Sequence, residues 1–158
     1  MTKPLKRHSS LIPFSQDHHF GLLLSWKICQ GIRKDVDTKR IVDYLDYFVQ
    51  HHLEPHFQLE EKLLFSFLAK NDLLRKEAEE QHASIRSSYE QIFEKRGDKD
   101  RLTRFADELK AHIRFEERKL FQYMQVELVE EDLEILKENV EDMHQKVQEE
   151  WEDPFWEG

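Results

Sequence analysis

Two stretches hold the residues of this chain best suited to chemistry, and both follow one phrase, His-x-x-x-Glu-Glu-x-x-Leu-Phe. The first copy runs through His56, Glu60, Glu61, Leu64 and Phe65, and the second through His112, Glu116, Glu117, Leu120 and Phe121. On a helix of 3.6 residues per turn, positions four apart share a face, so imidazole and carboxylate stack one turn apart in each copy. The leucine and phenylalanine that follow continue that face as apolar residues, which turns the pair inward. An inward His/Glu pair is a ready pair of metal ligands.

Two further histidines interrupt apolar stripes. His18 lies in the stripe read as Phe14, Leu22, Trp26, Cys29 and Ile32, and His82 in that of Leu74, Ala78, Ile85, Tyr89 and Ile92. The candidate set is therefore His18, His56, Glu60, His82, His112 and Glu116. Burying an unpaired carboxylate or imidazole costs several kcal/mol, so six such groups converging in one core require positive charge among them. Nitrogen and oxygen donors without thiolate suit iron, manganese or zinc, and two carboxylates among the six suit a bridged pair of ions. A lone core histidine such as His82 is ordinarily just hydrogen-bonded. A single His-x-x-x-Glu is ordinarily a surface pair. It is the doubled phrase, in phase with its stripes, that outweighs both readings. Only one of His18 and His19 can face inward, and the phase of Phe14, Leu22 and Cys29 selects His18. His52, one turn before His56, is read as an edge-of-cavity residue instead of a ligand. Glu61 and Glu117 are read as ion-pair partners for Arg or Lys, and His8, His51 and His144 as surface residues.

These groups need long helices to hold them. Four Gly and four Pro in 158 residues leave few turns, and the abundance of Leu, Glu, Lys, Gln and Phe favours an all-α fold. Residues 1–10 are basic and polar and read as a flexible lead-in. A first helix starts at Pro13 and ends around Gly31. A second, from Thr38 or Lys39, carries Ile41, Leu45, Phe48, His52, His56, Glu60, Leu63 and Phe67; Pro55 within it predicts a bend without a break. Asp72 caps a third, which Gly97 terminates. A fourth runs from about Lys99 to Met124 with Leu102, Phe105, Leu109, His112, Glu116, Leu120 and Tyr123 inward. Short connections between long helices predict an up-down-up-down four-helix bundle over residues 11–125. An additional C-terminal helix and aromatic tail occupy 126–158. Its Leu133, Leu136, Val140, Met143 and Val147 form a narrow seam that either lies along the bundle or pairs with another chain. Trp151, Phe155 and Trp156 call for a surface to dock on.

The formal net charge is −9 with acids and bases interspersed, which argues against nucleic acid or an anionic membrane as partner. One cysteine, Cys29, excludes an internal disulfide framework, and no apolar run approaches ~18 residues. A reducing cytoplasm is the expected compartment.

The two phrases, with Asp17-His18 on the first helix and Glu80-Gln81-His82 on the third, resemble the hemerythrin-like, or HHE cation-binding, family over about residues 11–125. That resemblance implies a four-helix bundle around a non-haem di-iron centre, two iron ions with Glu60 and Glu116 as bridging carboxylates. His18 and His56 would hold one iron and His82 and His112 the other. The oxygen-carrying members have a fifth histidine one turn before the position of His82, where this chain has Ala78; Glu79 is a candidate to fill that gap. The function implied is binding or sensing of dioxygen or a related small oxidant, nitric oxide or peroxide. Turnover of peroxide or superoxide is the enzymatic alternative. A metal-stapled adaptor or iron-response module, with a homodimer or protein partner on the C-terminal helix, is the structural one.

Overall fold

The computed structural model describes residues 6–158. Helix α1 (Ile12–Arg33) has Pro13 in its first turn. The second long helix is continuous but not uniform: α2 (Thr38–Phe48), a π-turn over Val49–Leu53, α3 (Glu54–Leu59), a second π-turn over Glu60–Leu64, and a 3₁₀ turn, Phe65–Phe67. Then come α4 (Leu73–Glu94), α5 (Lys99–Phe115), a third π-turn over Glu116–Leu120, and α6 (Phe121–Glu127). A fifth helix, α7 (Glu130–Met143), is followed by an irregular tail. Asp37, Asp72 and Asp98 cap α2, α4 and α5 by accepting backbone N–H bonds, the local contact that favours Asp at a helix start.

Two buried apolar clusters fill the bundle, and the candidate residues lie between them. Along α1 the chain passes from Leu11 and Phe14 in one cluster, through His18, to Leu24 and Ile28 in the other. The second helix returns from Phe48 and Leu53, past His56 and Glu60, to Leu63 and Leu64. Ala78, His82 and Ile85 reverse the direction, and Leu109, His112, Glu116 and Leu120 reverse it again. The four helices therefore run up, down, up and down across one polar layer, the bundle expected from the short connections.

Several local expectations are corrected. Gly31 does not end α1: it is buried within it, where an added Cβ would stand 2.8 Å from Ile41 Cδ1 and 2.9 Å from Phe155 Cε2. The helix ends two residues later, at Arg33, in a Schellman motif, with Asp35 at φ 56 and Val36 N–H bonded to the Gly31 carbonyl; Asp is one of the few non-glycine residues to tolerate that conformation. Gly97 is not a left-handed cap, since α4 closes at Lys95. Pro55, by contrast, produces no break, as expected: the π-turn just before it widens the backbone where the proline ring would meet the carbonyl of the preceding turn. On α1 the inward face runs through Phe14, His18, Gly21, Ser25 and Ile28, while Leu22, Trp26 and Cys29 are exposed.

The C-terminal segment packs on its own bundle. Leu136 and Val140 join the cluster of Leu64, Phe65 and Phe121, whereas Met143 is 44% exposed. The tail crosses to the opposite cluster, where Phe155 is buried and Trp151, Phe155 and Trp156 surround Tyr44. Lys27 is buried beneath it: its Nζ donates to Tyr44 Oη at 3.0 Å and Glu149 Oε2 at 3.3 Å, and lies 4.0 Å from the Trp156 ring centroid. The lead-in is also held, at least from Lys6 onward. Arg7 donates to Glu117 and Gln125, His8 meets Glu130, and Ser10 is fully buried. Residues 1–5 of that lead-in lie outside the described residues.

Candidate metal centre

All six candidate residues meet in the polar layer. Glu60, Glu116 and His82 are fully buried, and His112, His18 and His56 nearly so. The first-turn geometry of each phrase holds as read, with His56 Nε2 3.2 Å from Glu60 Oε1 and His112 Nε2 3.1 Å from Glu116 Oε1. The helices that lack a glutamate reach across to those that have one. His18 Nε2 lies 3.0 Å from Glu116 Oε1, and His82 Nε2 lies 3.1 Å from Glu60 Oε1. Two overlapping groups result, His18, His56, Glu60 and Glu116 on one side and Glu60, His82, His112 and Glu116 on the other, the donor atoms of each lying within 4.8 Å of one another. Both glutamates belong to both groups. Each also opens a π-turn, a helix irregularity that frequently marks functional sites.

Every site histidine directs Nε2 at the centre and Nδ1 at an acceptor behind it. His18 Nδ1 donates to Glu117 Oε2 at 2.6 Å, and His82 Nδ1 to Glu61 Oε2 at 2.7 Å. His56 Nδ1 donates to Asp17 Oδ2 at 2.9 Å, and His112 Nδ1 to Gln81 Oε1 at 2.7 Å. An acceptor behind Nδ1 fixes the tautomer that leaves Nε2 free to ligate. The arrangement repeats with approximate two-fold symmetry, helix pair against helix pair. It departs from symmetry at one place, where a carboxylate, Asp17, faces an amide, Gln81. The phenylalanines that end the two phrases complete the repeat: Phe121 stacks on His18 with centroids 5.5 Å apart, and Phe65 lies 5.4 Å from His82.

These outer acceptors were not read from the sequence as such. Glu61 and Glu117 do pair with Arg86 and Arg7, as expected, yet each also orients a histidine. The signal available was adjacency: Asp17 and Gln81 directly precede a site histidine, and Glu61 and Glu117 directly follow a site glutamate. His144, read as a surface residue, is largely covered and its Nε2 lies 2.9 Å from Asp17 Oδ1. His8 is likewise partly covered, whereas His51 is exposed. Glu79 does not fill the position left by Ala78. It is exposed and pairs with Arg75, while Ala78 is fully buried. His19 is exposed, leaving His18 as the inward residue.

Electrostatically the centre calls for a cation. Burial pulls the His18 and His82 imidazoles down, but hydrogen bonds to Glu116 and Glu117, and to Glu60 and Glu61, raise each to about 9. His56 is likewise raised, with burial opposed by Glu60 and Asp17, and Glu116 is held well below the usual carboxylate range by His112 and His18 despite its burial. The bare side chains thus offset the glutamates with protons. Four donor atoms nevertheless have no hydrogen-bond partner: His56 Nε2, His112 Nε2, Glu60 Oε2 and Glu116 Oε2. Buried polar atoms left without a partner are costly, and orphaned atoms in both groups, on ligand types suited to iron, manganese or zinc, fit a pair of ions.

No curated protein and no solved structure matches the chain. The model of the hemerythrin HHE cation binding domain matches residues 18–124, which spans all four bundle helices and all six candidate residues and leaves α7 and the tail outside. With well over half of its length matched, the chain belongs to the hemerythrin HHE cation-binding domain family.

Proposed function

We propose that this protein holds two iron ions between its four helices and uses them to bind or sense dioxygen or a related small oxidant, nitric oxide or peroxide. The observation that carries the reading is the pair of four-donor groups sharing both Glu60 and Glu116. His18 and His56 would complete one ion's protein ligands, and His82 and His112 the other's. A pair of iron ions supplies one-electron or two-electron exchange with a small oxidant. The chain contributes the rest: glutamates positioned by π-turns, imidazoles oriented by Glu117, Asp17, Glu61 and Gln81, and apolar clusters that keep bulk water away on both sides. With a lone cysteine that is free and no described helix long and apolar enough to cross a membrane, we place this activity in the cytoplasm.

The test is metal analysis of the folded protein grown with iron, joined to absorption spectra before and after aeration of the reduced form. About two ions per chain are expected, mostly iron, with a spectral change on aeration. Stripping the metal should lower stability by about 3 kcal/mol or more if the ions are present at ~100 times their dissociation constant. One ion per fully folded chain would overturn the bridged pair, and a metal-free protein that melts unchanged would show that these six residues do not hold a cation.

A further inference from the structure

Two cavities that share part of their lining lie beside the centre. The outer one, of about 470 Å³, opens beneath the C-terminal segment and is bordered by Tyr47, His51, His144 and Gln148. The inner one, of about 10 Å³, borders His18, His56 and His112, which is room for about one water-sized molecule. Four residues border both cavities: Asp17, His52, His56 and Val147. Asp17 is engaged by His56 and His144, His56 belongs to the centre, and Val147 is apolar. His52 alone among them offers an uncommitted polar atom outside the six: its Nε2 is buried without a hydrogen-bond partner. The ring is steadied by Phe48 at 5.3 Å and Tyr47 at 5.8 Å between centroids. The remaining wall is apolar, with Phe48, Leu53, Phe57, Leu109 and Ile113, so a hydrogen bond formed there competes with little water.

We propose that His52 is the ligand-selecting residue of the centre: its Nε2 hydrogen-bonds a small acceptor molecule in the inner cavity, which that molecule reaches by passing between His52 and Val147. The chemical class is a hydrogen-bond-accepting species of two or three atoms, such as superoxide, peroxide or azide, one end of which fills the inner cavity while the rest lies toward the outer one. A partner on Nε2 removes the desolvation cost of an orphaned buried nitrogen, so acceptors are favoured over molecules that accept poorly. Val147 comes from the segment beyond the matched domain, and that segment is anchored on both sides, by His144 on Asp17 and by Glu149 on Lys27 and Tyr44. The passage is therefore a fixed constriction.

This inference rests on the metal-centre reading, and the experiment separates the two. Azide is titrated into iron-loaded, oxidised full-length protein and followed by absorption, comparing the parent with His52→Leu, His52→Gln and Val147→Trp, each at measured iron content. His52→Leu should keep the parent's iron and melting behaviour but bind azide at least tenfold more weakly; His52→Gln, which retains a donor, should restore most of the affinity. Val147→Trp should slow azide association severalfold with little change at equilibrium. Equal azide affinity in the parent and His52→Leu, or no rescue in His52→Gln, overturns the hydrogen-bonding role while leaving the metal reading intact. An unchanged association rate in Val147→Trp overturns the route. Loss of iron in His52→Leu overturns the inference by making His52 part of the metal's own support, and a parent that takes up no iron defeats the metal reading and this inference together.

Discussion

Glu117 shows how much one side chain beyond the six can do. Its carboxylate accepts from His18 Nδ1, from Ser15 Oγ at 2.8 and 3.0 Å, and from Arg7. Burial raises the pKa of Glu117, but these partners outweigh it and hold the group ionised. Glu61 repeats the role: burial opposes it, yet His82 and Arg86 bring it down to about 2. An ionised acceptor behind an imidazole raises the basicity of the nitrogen that faces the metal, and losing such a partner typically costs about 10- to 100-fold in metal affinity. Glu117→Ala and Glu61→Ala should each weaken iron or zinc binding by that order in competition with a chelator, with the parent's number of ions still bound at saturation. Glu117→Gln should fall less, because Gln81 already serves His112 through an amide oxygen. Parent-like affinity in both alanine variants would show that the Nδ1 contacts do not tune the centre. The same comparison explains why the two halves of a nearly symmetric site are not equivalent: His18 and His56 are backed by two carboxylates, His82 and His112 by one carboxylate and one amide.

At the scale of elements, the π-turns and the tail are what distinguish these helices from plain rods. Both site glutamates open a π-turn, so each carboxylate sits where the helix widens. The tail fixes the other end of the bundle through Tyr44, which accepts from Lys27, donates to Glu149 Oε1 at 2.7 Å and is fully buried. Burial, and then the Glu149 carboxylate, push the Tyr44 hydroxyl far above its usual 10.0. A raised folded-state pKa gives a contribution that is whole below the unfolded value and is lost as pH rises above it, because only the unfolded chain releases the proton. Between pH 10 and 11, the parent should therefore lose about 1 kcal/mol more stability than Tyr44→Phe in the same metallation state. At neutral pH the variant should be less stable by about 1–2 kcal/mol, since Lys27 and Glu149 lose a partner. Denaturant midpoints across this range give the measurement, and parallel alkaline losses in the two proteins would place Tyr44's proton elsewhere than in this buried network.

The whole molecule is a polar layer between two apolar clusters, clasped by a C-terminal segment that reaches both. Leu136 on α7 is fully buried against the cluster below the centre, while Met143 at the helix end is exposed. Leu136→Ala should cost about 2–5 kcal/mol through the cavity it leaves. Met143→Glu should fall within about 0.5 kcal/mol of the parent, and neither should change particle size in solution. A loss at Met143 as large as that at Leu136, or a change of particle size in either variant, would mean that the seam meets a surface other than this bundle. Leu133, Leu136 and Val140 of the α7 seam are covered within the chain, whereas Met143 is not.

What the sequence determined by itself was periodicity and composition: helices long enough to span the bundle, and six candidate ligands in phase with apolar stripes. Those are properties of single helices, set by 3.6 residues per turn, and the fold kept them. What it left open depends on how closely two helices approach. On α1, the large residues Leu22 and Trp26 read as the inward face, but α5 packs instead where Gly21 and Ser25 let it come near, with Ser25 Oγ bonded to the Ala106 carbonyl at 3.0 Å. Gly31 likewise reads as a helix end and serves as the contact for Ile41 and Phe155. Close packing favours small side chains that a hydrophobicity pattern discounts. The acceptors behind the histidines follow the same rule: Asp17, Glu61, Gln81 and Glu117 each serve a histidine on a different helix, a pairing that no spacing along one chain segment specifies. Only the docked bundle, and the tail that brings His144 and Val147 to its side, decides it.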